Sequence, residues 1–206
     1  MECSKTFRFI LKDAMADTLL MFSGGLDSTG AFWKLYHDGV NFNVHHMVLK
    51  NQENRGVAES IAVANILNYM RGIGWTGSYT ESTHEYPSFN GRFLWDADMT
   101  SFMAGYICSV SRNIKKVALG LTLSDMQEAA IPRRIERANK VFSAMCEAEK
   151  TYPVAELTKL DLFKMMPETL RDFCWYCRTP QYVNGVPEKC NKCKTCRVMA
   201  KLLNNL

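Results

Sequence analysis

The chain of 206 residues lacks any apolar run approaching the roughly 18 residues that a bilayer-spanning helix needs. Its opening stretch, MECSKTFRFILKDAMAD, holds a short apolar piece that Lys12 and Asp13 interrupt, so the core of a secretory signal is missing too. These absences point away from a membrane protein and towards a cytoplasmic one. Long blocks of like charge are also missing, and the net charge is only +4. Nucleotides are compatible partners at that charge, but there is no arm to hold a stable nucleic-acid complex. Internal repeats, low-complexity tracts and flexible linkers are absent, which leaves one domain with at most a small appendage. Two common phosphate loops are missing as well: neither GxxxxGK[ST] nor GxGxxG occurs.

What the chain does contain is an ordinary globular share of apolar residues, 47%, in alternating patterns. DTLLMF ending at Phe22 reads as a buried strand, residues 28–37 as a helix, and FNVHHMVL (42–49) as a second strand. Helical spacing follows over 54–71, and WTGSYT (75–80) reads as a weaker strand before a loop through Arg92. An apolar helix is expected over 93–110, a strand at KKVALG, and an amphipathic helix over 131–150. YPVAEL (152–157) reads as a short fifth strand and TKLDLFKMM as a helix. Strands alternating with helices predict an α/β fold: an open, mostly parallel twisted sheet with helices on both faces. The expected division is residues 1–171 as a nucleotide-binding α/β domain and 172–206 as a cysteine-rich tail with a closing helix.

The sharpest local signal is FSGGLDS, Phe22 to Ser28. It places Ser23, Gly24 and Gly25 at the carboxyl end of the first strand, where parallel sheets bind ligands. Glycines let backbone N–H groups approach an anion, and the next helix turns its positive end to the same place. Ser23 and Ser28 add hydroxyls, and Asp27 is placed to hold Mg²⁺ or to cap the helix. A Gly-Gly turn with a capping Asp and no ligand has the same local pattern.

Of the eight cysteines, Cys3, Cys108 and Cys146 are scattered, while Cys174, Cys177, Cys190, Cys193 and Cys196 crowd near the end. Paired CxxC spacing in a cytosolic chain reads as a metal site rather than a disulfide framework. Cys190, Cys193 and Cys196 form CxxCxxC, and four thiolates suit tetrahedral Zn²⁺. The spacing leaves the fourth ligand open between Cys174 and Cys177. Iron–sulfur clusters use similar runs; a structural zinc with no open coordination position is the expectation.

SGGLDS resembles the SGGxDS loop of the PP-loop ATP pyrophosphatases, which cleave ATP to AMP and pyrophosphate while adenylating an oxygen of their substrate. Combined with CNKCKTCR, it resembles the 7-cyano-7-deazaguanine synthase family of the queuosine pathway, an adenine nucleotide alpha hydrolase-like fold with a zinc-binding lobe. In that family the residue pattern before the first cysteine matches WYC, which implies Cys177 as the ligand. NGRF stands where the family has PGRN, Asp125 lies five residues after Gly120 as in its G-x-x-x-T/S-D, and Lys159 falls at its lysine position. The departures are KNQENR in place of a DYGQxH stretch, and Pro132-Arg133-Arg134 in place of Pro-Asp-Cys-Arg. A divergent, phage-borne member would look like this, and it would work in the host cytoplasm.

The resemblance implies an ATP-dependent ligase that forms a carbon–nitrogen bond. It would convert 7-carboxy-7-deazaguanine and ammonia to the nitrile through adenylated carboxylate and amide intermediates, using ATP, Mg²⁺ and Zn²⁺. Phe22, Ser23, Gly24, Gly25, Leu26, Asp27 and Ser28 would form the nucleotide cradle with Gly120. Ser23, Asp27, Ser28, Asp125 and Lys159 would carry the chemistry. Arg92, Arg133 and Arg134 would hold phosphate or carboxylate through their forked donors. A homodimer is compatible with this reading. Solvated helix charge describes Arg133 and Arg134 equally well, and of His45 and His46 the inward one is expected to be core. Trp95, Phe93 and Met99 are expected as core residues of their helix, and Glu59 as a solvated or paired carboxylate. Two rivals remain: another adenylating enzyme with a different acceptor, and a zinc-tied nucleic-acid-binding protein that uses Lys189, Lys192, Lys194, Arg197 and Lys201.

Overall fold

The computed structural model describes residues 16–86, 88, 95–127 and 131–204. Five parallel strands form one sheet in the order β3-β2-β1-β4-β5. They are β1 (Thr18–Phe22), β2 (Phe42–Lys50), β3 (Tyr79–Glu85), β4 (Lys116–Leu119) and β5 (Glu149–Thr151). Register is set by the apolar centre: Leu20 lies beside Val44 on one side and Ala118 on the other. The expected α/β sheet with helices on both faces is present.

Period-two alternation sorts β1 between two cores. Leu20 and Phe22 pack against α1 (Leu26–His37), α2 (Gly56–Gly72), α6 (Lys159–Met165), α7 (Glu168–Phe173) and α8 (Lys194–Leu203). Leu19 and Met21 pack on the other face against α3 (Asp96–Val110) and Phe142 of α5 (Ile131–Ser143). Every strand of this sheet is thus joined to the next by a crossover that lays its helix over a face. The first core is dominated by aromatics: Phe32 has Phe22, Phe42 and Trp75 around it at centroid separations of 4.9–5.4 Å, all edge-on. Such pairs add about 0.5–1.5 kcal/mol each beyond burial.

Several boundaries differ from the sequence reading. WTGSYT overlaps the third strand only at Tyr79 and Thr80. Trp75 is buried in the aromatic core, and the strand runs on through the polar ESTHE segment. That segment alternates exposed and half-buried residues because β3 lies at the sheet edge. The amphipathic helix stops at Ser143 rather than continuing to Lys150, because Glu149–Thr151 pairs with Lys116–Ala118 as β5. YPVAEL, expected as that strand, is a turn segment instead. A short α4 (Leu123–Met126) and a hairpin of β6 (Gln181–Val183) and β7 (Val186–Glu188) were not anticipated. His45 and His46 are both buried, since β2 is an interior strand covered on both faces. Trp95 precedes α3 and is 39% exposed, which corrects its placement in the core. Arg92 and Phe93 lie outside the described residues, as does Cys3. No helix among the described residues is long and apolar enough to cross a membrane.

Candidate functional site

The strand order reverses direction at β1 and β4, since the crossovers from β1 go to one face and those around β4 to the other. Ligands of open α/β sheets bind in the crevice at that point, beyond the carboxyl ends of the strands. The Ser23–Ser28 turn lies there. Gly24 has φ +71, a left-handed conformation that a side chain would strain, and it packs against Val63. The Ser23 hydroxyl lies 3.1 Å from that of Ser28, and the Gly25 N–H points to the Ser23 Oγ at 3.4 Å. Ser28 and Thr29 both donate to the Gly25 carbonyl, at 3.1 and 2.8 Å, which locks the start of α1. Phe22 and Leu26 are core residues, so only their backbone can face a ligand. Gly120, at the end of β4, abuts the same turn: a Cβ there would lie 2.6 Å from the backbone of Asp27 and Ser28.

Asp27, Asp125 and Lys159 come together beside this turn. The Lys159 Nζ donates to Asp27 Oδ2 at 2.5 Å and to Asp125 Oδ2 at 3.2 Å. Each partner is aimed by a local device. Asp125 is held in a capping box with the fully buried Thr122, whose Oγ1 donates to Asp125 Oδ2 at 2.8 Å. Lys159 is the first residue of α6, which a Thr158–Asp161 capping box starts. Burial pushes the Asp27 carboxyl up, while Lys159 pulls it back. Burial works against the Lys159 charge, but the two carboxylates more than offset it and hold the ammonium protonated. Asp27 Oδ1 is buried with no hydrogen-bond partner. An acceptor-only Asp27 oxygen left unpaired, with the Asp125 carboxylate in the same cluster, is a donor set that fits a divalent cation. A shallow cavity of about 260 Å³ opens alongside, lined by Ser124, Thr158, Lys159, Leu160, Val198 and Leu202.

The cysteine lobe closes over the turn. The ligand atoms of Cys177, Cys190, Cys193 and Cys196 all lie within 4.8 Å of one another. Backbone N–H groups of Cys190 and Cys193 point to the preceding sulfurs at 3.3 Å, and Thr179 donates to Cys190. That hydroxyl, the largest influence, helps pull the Cys190 thiol down to about 5, so one ligand is readily a thiolate. Cys174 stands apart: it is buried in the main core and its thiol donates to the Leu170 carbonyl. The four cysteines can hold a metal ion, and a tetrahedral thiolate set is compatible with zinc. Directly before the cluster, the Trp175 backbone N–H donates to the Gly24 carbonyl at 2.9 Å, tying lobe to turn.

A second charged cluster lies at the same edge of the sheet; of its members the sequence singled out only Glu59, as a solvated or paired carboxylate, and it is paired. Arg55 pairs with Glu59 at 2.6 Å, Asp96 at 2.5 Å and Glu53 at 2.8 Å. Arg178, next to Cys177, grips Glu53 through two nitrogens at 2.8 Å and reaches Asp96 at 3.0 Å. Burial pushes the Glu59 carboxyl up to about 7 despite Arg55. The local clues were the Arg55–Glu59 spacing of four at a helix start and Glu53 two residues before Arg55; Asp96 and Arg178 are far apart in sequence. Arg134 and Arg133 do not join the Lys159 cluster through any contact among the described residues. Arg134 stacks over the Trp95 ring at 3.4 Å, and Arg133 is exposed on α5.

No protein-family model and no curated protein matches the chain. A solved structure from a study of pinoresinol-lariciresinol and phenylcoumaran benzylic ether reductases aligns over 68% of the chain, with a TM-score of 0.38 and 14% identity. The alignment spans about half of that protein, 49% of its length. So loose a likeness carries no argument about activity. The expected membership in the PP-loop superfamily and the 7-cyano-7-deazaguanine synthase family is corrected by these comparisons: no family model supports it, and the aligned structure is of a different kind. The physical reason is that six residues of anion-binding turn and a CxxCxxC lobe are local devices. Parallel sheets and metal lobes can carry them without common membership.

Proposed function

We propose that the chain is an ATP-dependent ligase that forms a carbon–nitrogen bond. ATP adenylates an acceptor carboxylate, pyrophosphate leaves, and ammonia displaces AMP. The observation that carries this reading is the convergence of Lys159 and Asp27 on the Ser23–Ser28 turn at the sheet's reversal point. Chemistry of this type needs charge stabilised at the leaving pyrophosphate more than it needs a general base. The Ser23 and Ser28 hydroxyls, the backbone of Gly24 and Gly25 and the N-terminus of α1 would cradle phosphate oxygens. Lys159 would take up negative charge developing there, and Gly120 keeps the approach free of a side chain. Asp27, through Oδ1, and Asp125 would hold Mg²⁺, which when bound neutralises phosphate charge. Zinc on the four cysteines would be structural and hold Trp175 against the turn.

The acceptor to try first is 7-carboxy-7-deazaguanine. Purified protein, Mg²⁺, ATP, ammonium and this acid are incubated, and small molecules are read by mass spectrometry. AMP together with amide or nitrile, lost in Asp27→Ala, is the expected result. AMP formed only with another acid would keep the ligase and change the acceptor. No AMP with any carboxylic acceptor would overturn the proposal. A second reading has one observation in its favour: Lys194, Arg197 and Lys201 line a shallow depression on α8 with Val198. Nucleic-acid binding through that face would show as a steeply salt-dependent affinity.

A further inference from the structure

The metal lobe grips the ligand edge of the sheet through residues that lie between its own cysteines. Cys177 and Cys190 bracket residues 178–189, which hold Arg178 and the β6–β7 hairpin. Each strand of that hairpin has three residues, and neither pairs with another strand among the described residues. A two-stranded ribbon of this kind is marginal in water by itself. A metal shared by Cys177 and Cys190 closes the segment at both ends and removes much of its freedom.

The closed segment holds its neighbours at two points. Arg178 stands between Cys177 and Thr179, whose hydroxyl donates to the Cys190 sulfur at 3.3 Å. The Arg178 guanidinium donates to both Glu53 oxygens at 2.8 Å and to Asp96, the first residue of α3, at 3.0 Å. A bidentate fork of this kind fixes direction as well as distance. Further on, the Tyr182 hydroxyl donates to the Asn54 carbonyl at 2.8 Å. Asn54 has φ +51, a left-handed conformation uncommon for a residue with a side chain. Asn51 shapes this turn from within, by accepting from the Glu53 N–H at 2.9 Å and the Asn54 N–H at 3.1 Å. The turn leads directly into α2, and Ala62 and Val63 of α2 pack on Gly24.

We infer that metal occupancy of the cysteine lobe and the conformation of residues 51–55 are one coupled equilibrium, with Arg178 and Tyr182 as the positioning residues that transmit it. With the metal bound, Arg178 and Tyr182 are presented in place, and they hold the turn, the start of α2 and the start of α3 against the Ser23–Ser28 turn. Without it, residues 178–189 lose their closure, and the two grips must be made at the full entropic cost of ordering that segment. The lobe is then a metal-dependent clasp on the ligand edge as well as a tie for the tail. This coupling involves no chemical step and stands apart from the reaction proposed above.

The test uses the full-length, zinc-loaded protein. A chromophoric chelator competes for the metal at equilibrium, and zinc affinity is read for wild type, Arg178→Gln, Glu53→Gln and the double variant. Each single change should weaken zinc binding by at least about 5-fold, the low end of coupling between linked sites. The double variant should lose little more than either single one, since both cut the same link. Tyr182→Phe, which keeps the ring, should weaken zinc in the same direction. Arg137→Gln breaks an ion pair with Asp98 on the other face of the sheet and should leave zinc affinity unchanged. Hydrogen exchange reads the reciprocal effect: zinc withdrawal should speed exchange of the amides of residues 51–55 while those of β1 and β4 stay protected. Wild-type zinc affinity in every variant, or losses that simply add in the double variant, would overturn the proposal. An equal loss in Arg137→Gln would do the same. So would exchange that rises in β1 and β4 together with the turn, because the metal would then hold up the whole fold rather than this edge.

Discussion

The Lys159 ammonium reaches Asp27 across 132 residues of chain and binds its carboxylate at 2.5 Å, with Asp125 as its second partner. Removing the cation leaves two carboxylates facing one another in a partly dry place. Lys159→Met should lower AMP formation by at least about 100-fold, the scale of losing one charge-stabilising donor. It should also destabilise the fold by about 1–3 kcal/mol near neutral pH. The sign of the pH effect follows from Asp27, whose carboxyl is already pushed up by burial. Acid protonates it and relieves the repulsion, so the gap between variant and wild type in urea melts at neutral pH should narrow in acid. Equal deficits at neutral and acid pH would contradict this account.

Gly120 is a second test of the same place. A methyl group there meets backbone rather than a flexible side chain, 2.6 Å from Asp27 and Ser28. Gly120→Ala should cost about 1–3 kcal/mol and weaken nucleotide binding, because the start of α1 must move. Calorimetric titration with a non-hydrolysable ATP analogue reads the second effect. Unchanged affinity would mean that the turn does not hold nucleotide.

The metal lobe separates two neighbouring cysteines. Cys177→Ser should lose bound zinc, measured by metal analysis, whereas Cys174→Ser should keep it, since Cys174 belongs to the core. Chelation of the wild type should lower the melting temperature and loosen the Trp175 contact with Gly24, seen as a change in tryptophan fluorescence.

Arg55 is 8% exposed and faces three carboxylates. Arg55→Met leaves Glu59 without its partner and Glu53 and Asp96 with Arg178 alone, and should destabilise by about 3–5 kcal/mol. Glu59→Gln should behave differently. The Glu59 carboxyl sits up at about 7 because it is buried, while the unfolded chain ionises near 4.5, so stability is lost as pH rises from about 4.5 to 7 and levels off above that. Neutral glutamine removes that cost, and the variant should gain on wild type between about pH 4.5 and 7 in denaturant melts, with a constant advantage above that.

His45 is held at about 4 by burial, with the neighbouring His46 and His84 charges adding to it, while its ring nitrogens contact Thr80 and Ser82 at 2.8 Å. The unfolded chain takes up a proton near pH 6.5 and the folded one does not. Stability is therefore intact above pH 6.5 and is lost as pH falls towards 4, by at most about 3 kcal/mol from this residue. Chemical denaturation at pH 7 and pH 5 should show the drop, and His45→Gln should flatten it.

Local chemistry made part of this molecule legible from residues alone. The strand ending at Phe22, the glycine turn and the helix to His37 obey short-range rules, since an apolar run, a left-handed glycine and a helix start need only their neighbours. The four-cysteine cluster was legible for a similar reason: coordination spacing is written along the chain. The choice of Cys177 over Cys174 was not settled by spacing, and in the fold Cys174 turns into the core instead. Family membership did not follow from those short motifs, because local devices do not carry ancestry.

What only the tertiary structure decided is everything that depends on distant partners. TESTHE became a strand because an edge position tolerates polar residues, and the helix after Ile131 ended early because three residues were needed to pair with β4. Trp95 came out to solvent under Arg134, while Trp75 went in beside Phe32. The Lys159–Asp27–Asp125 cluster and the Arg55–Arg178 network join charges from four or more separate segments. A side chain's charge is visible in sequence; its burial and its counter-ion are not, and those two quantities decide whether it is solvated, structural or poised for chemistry.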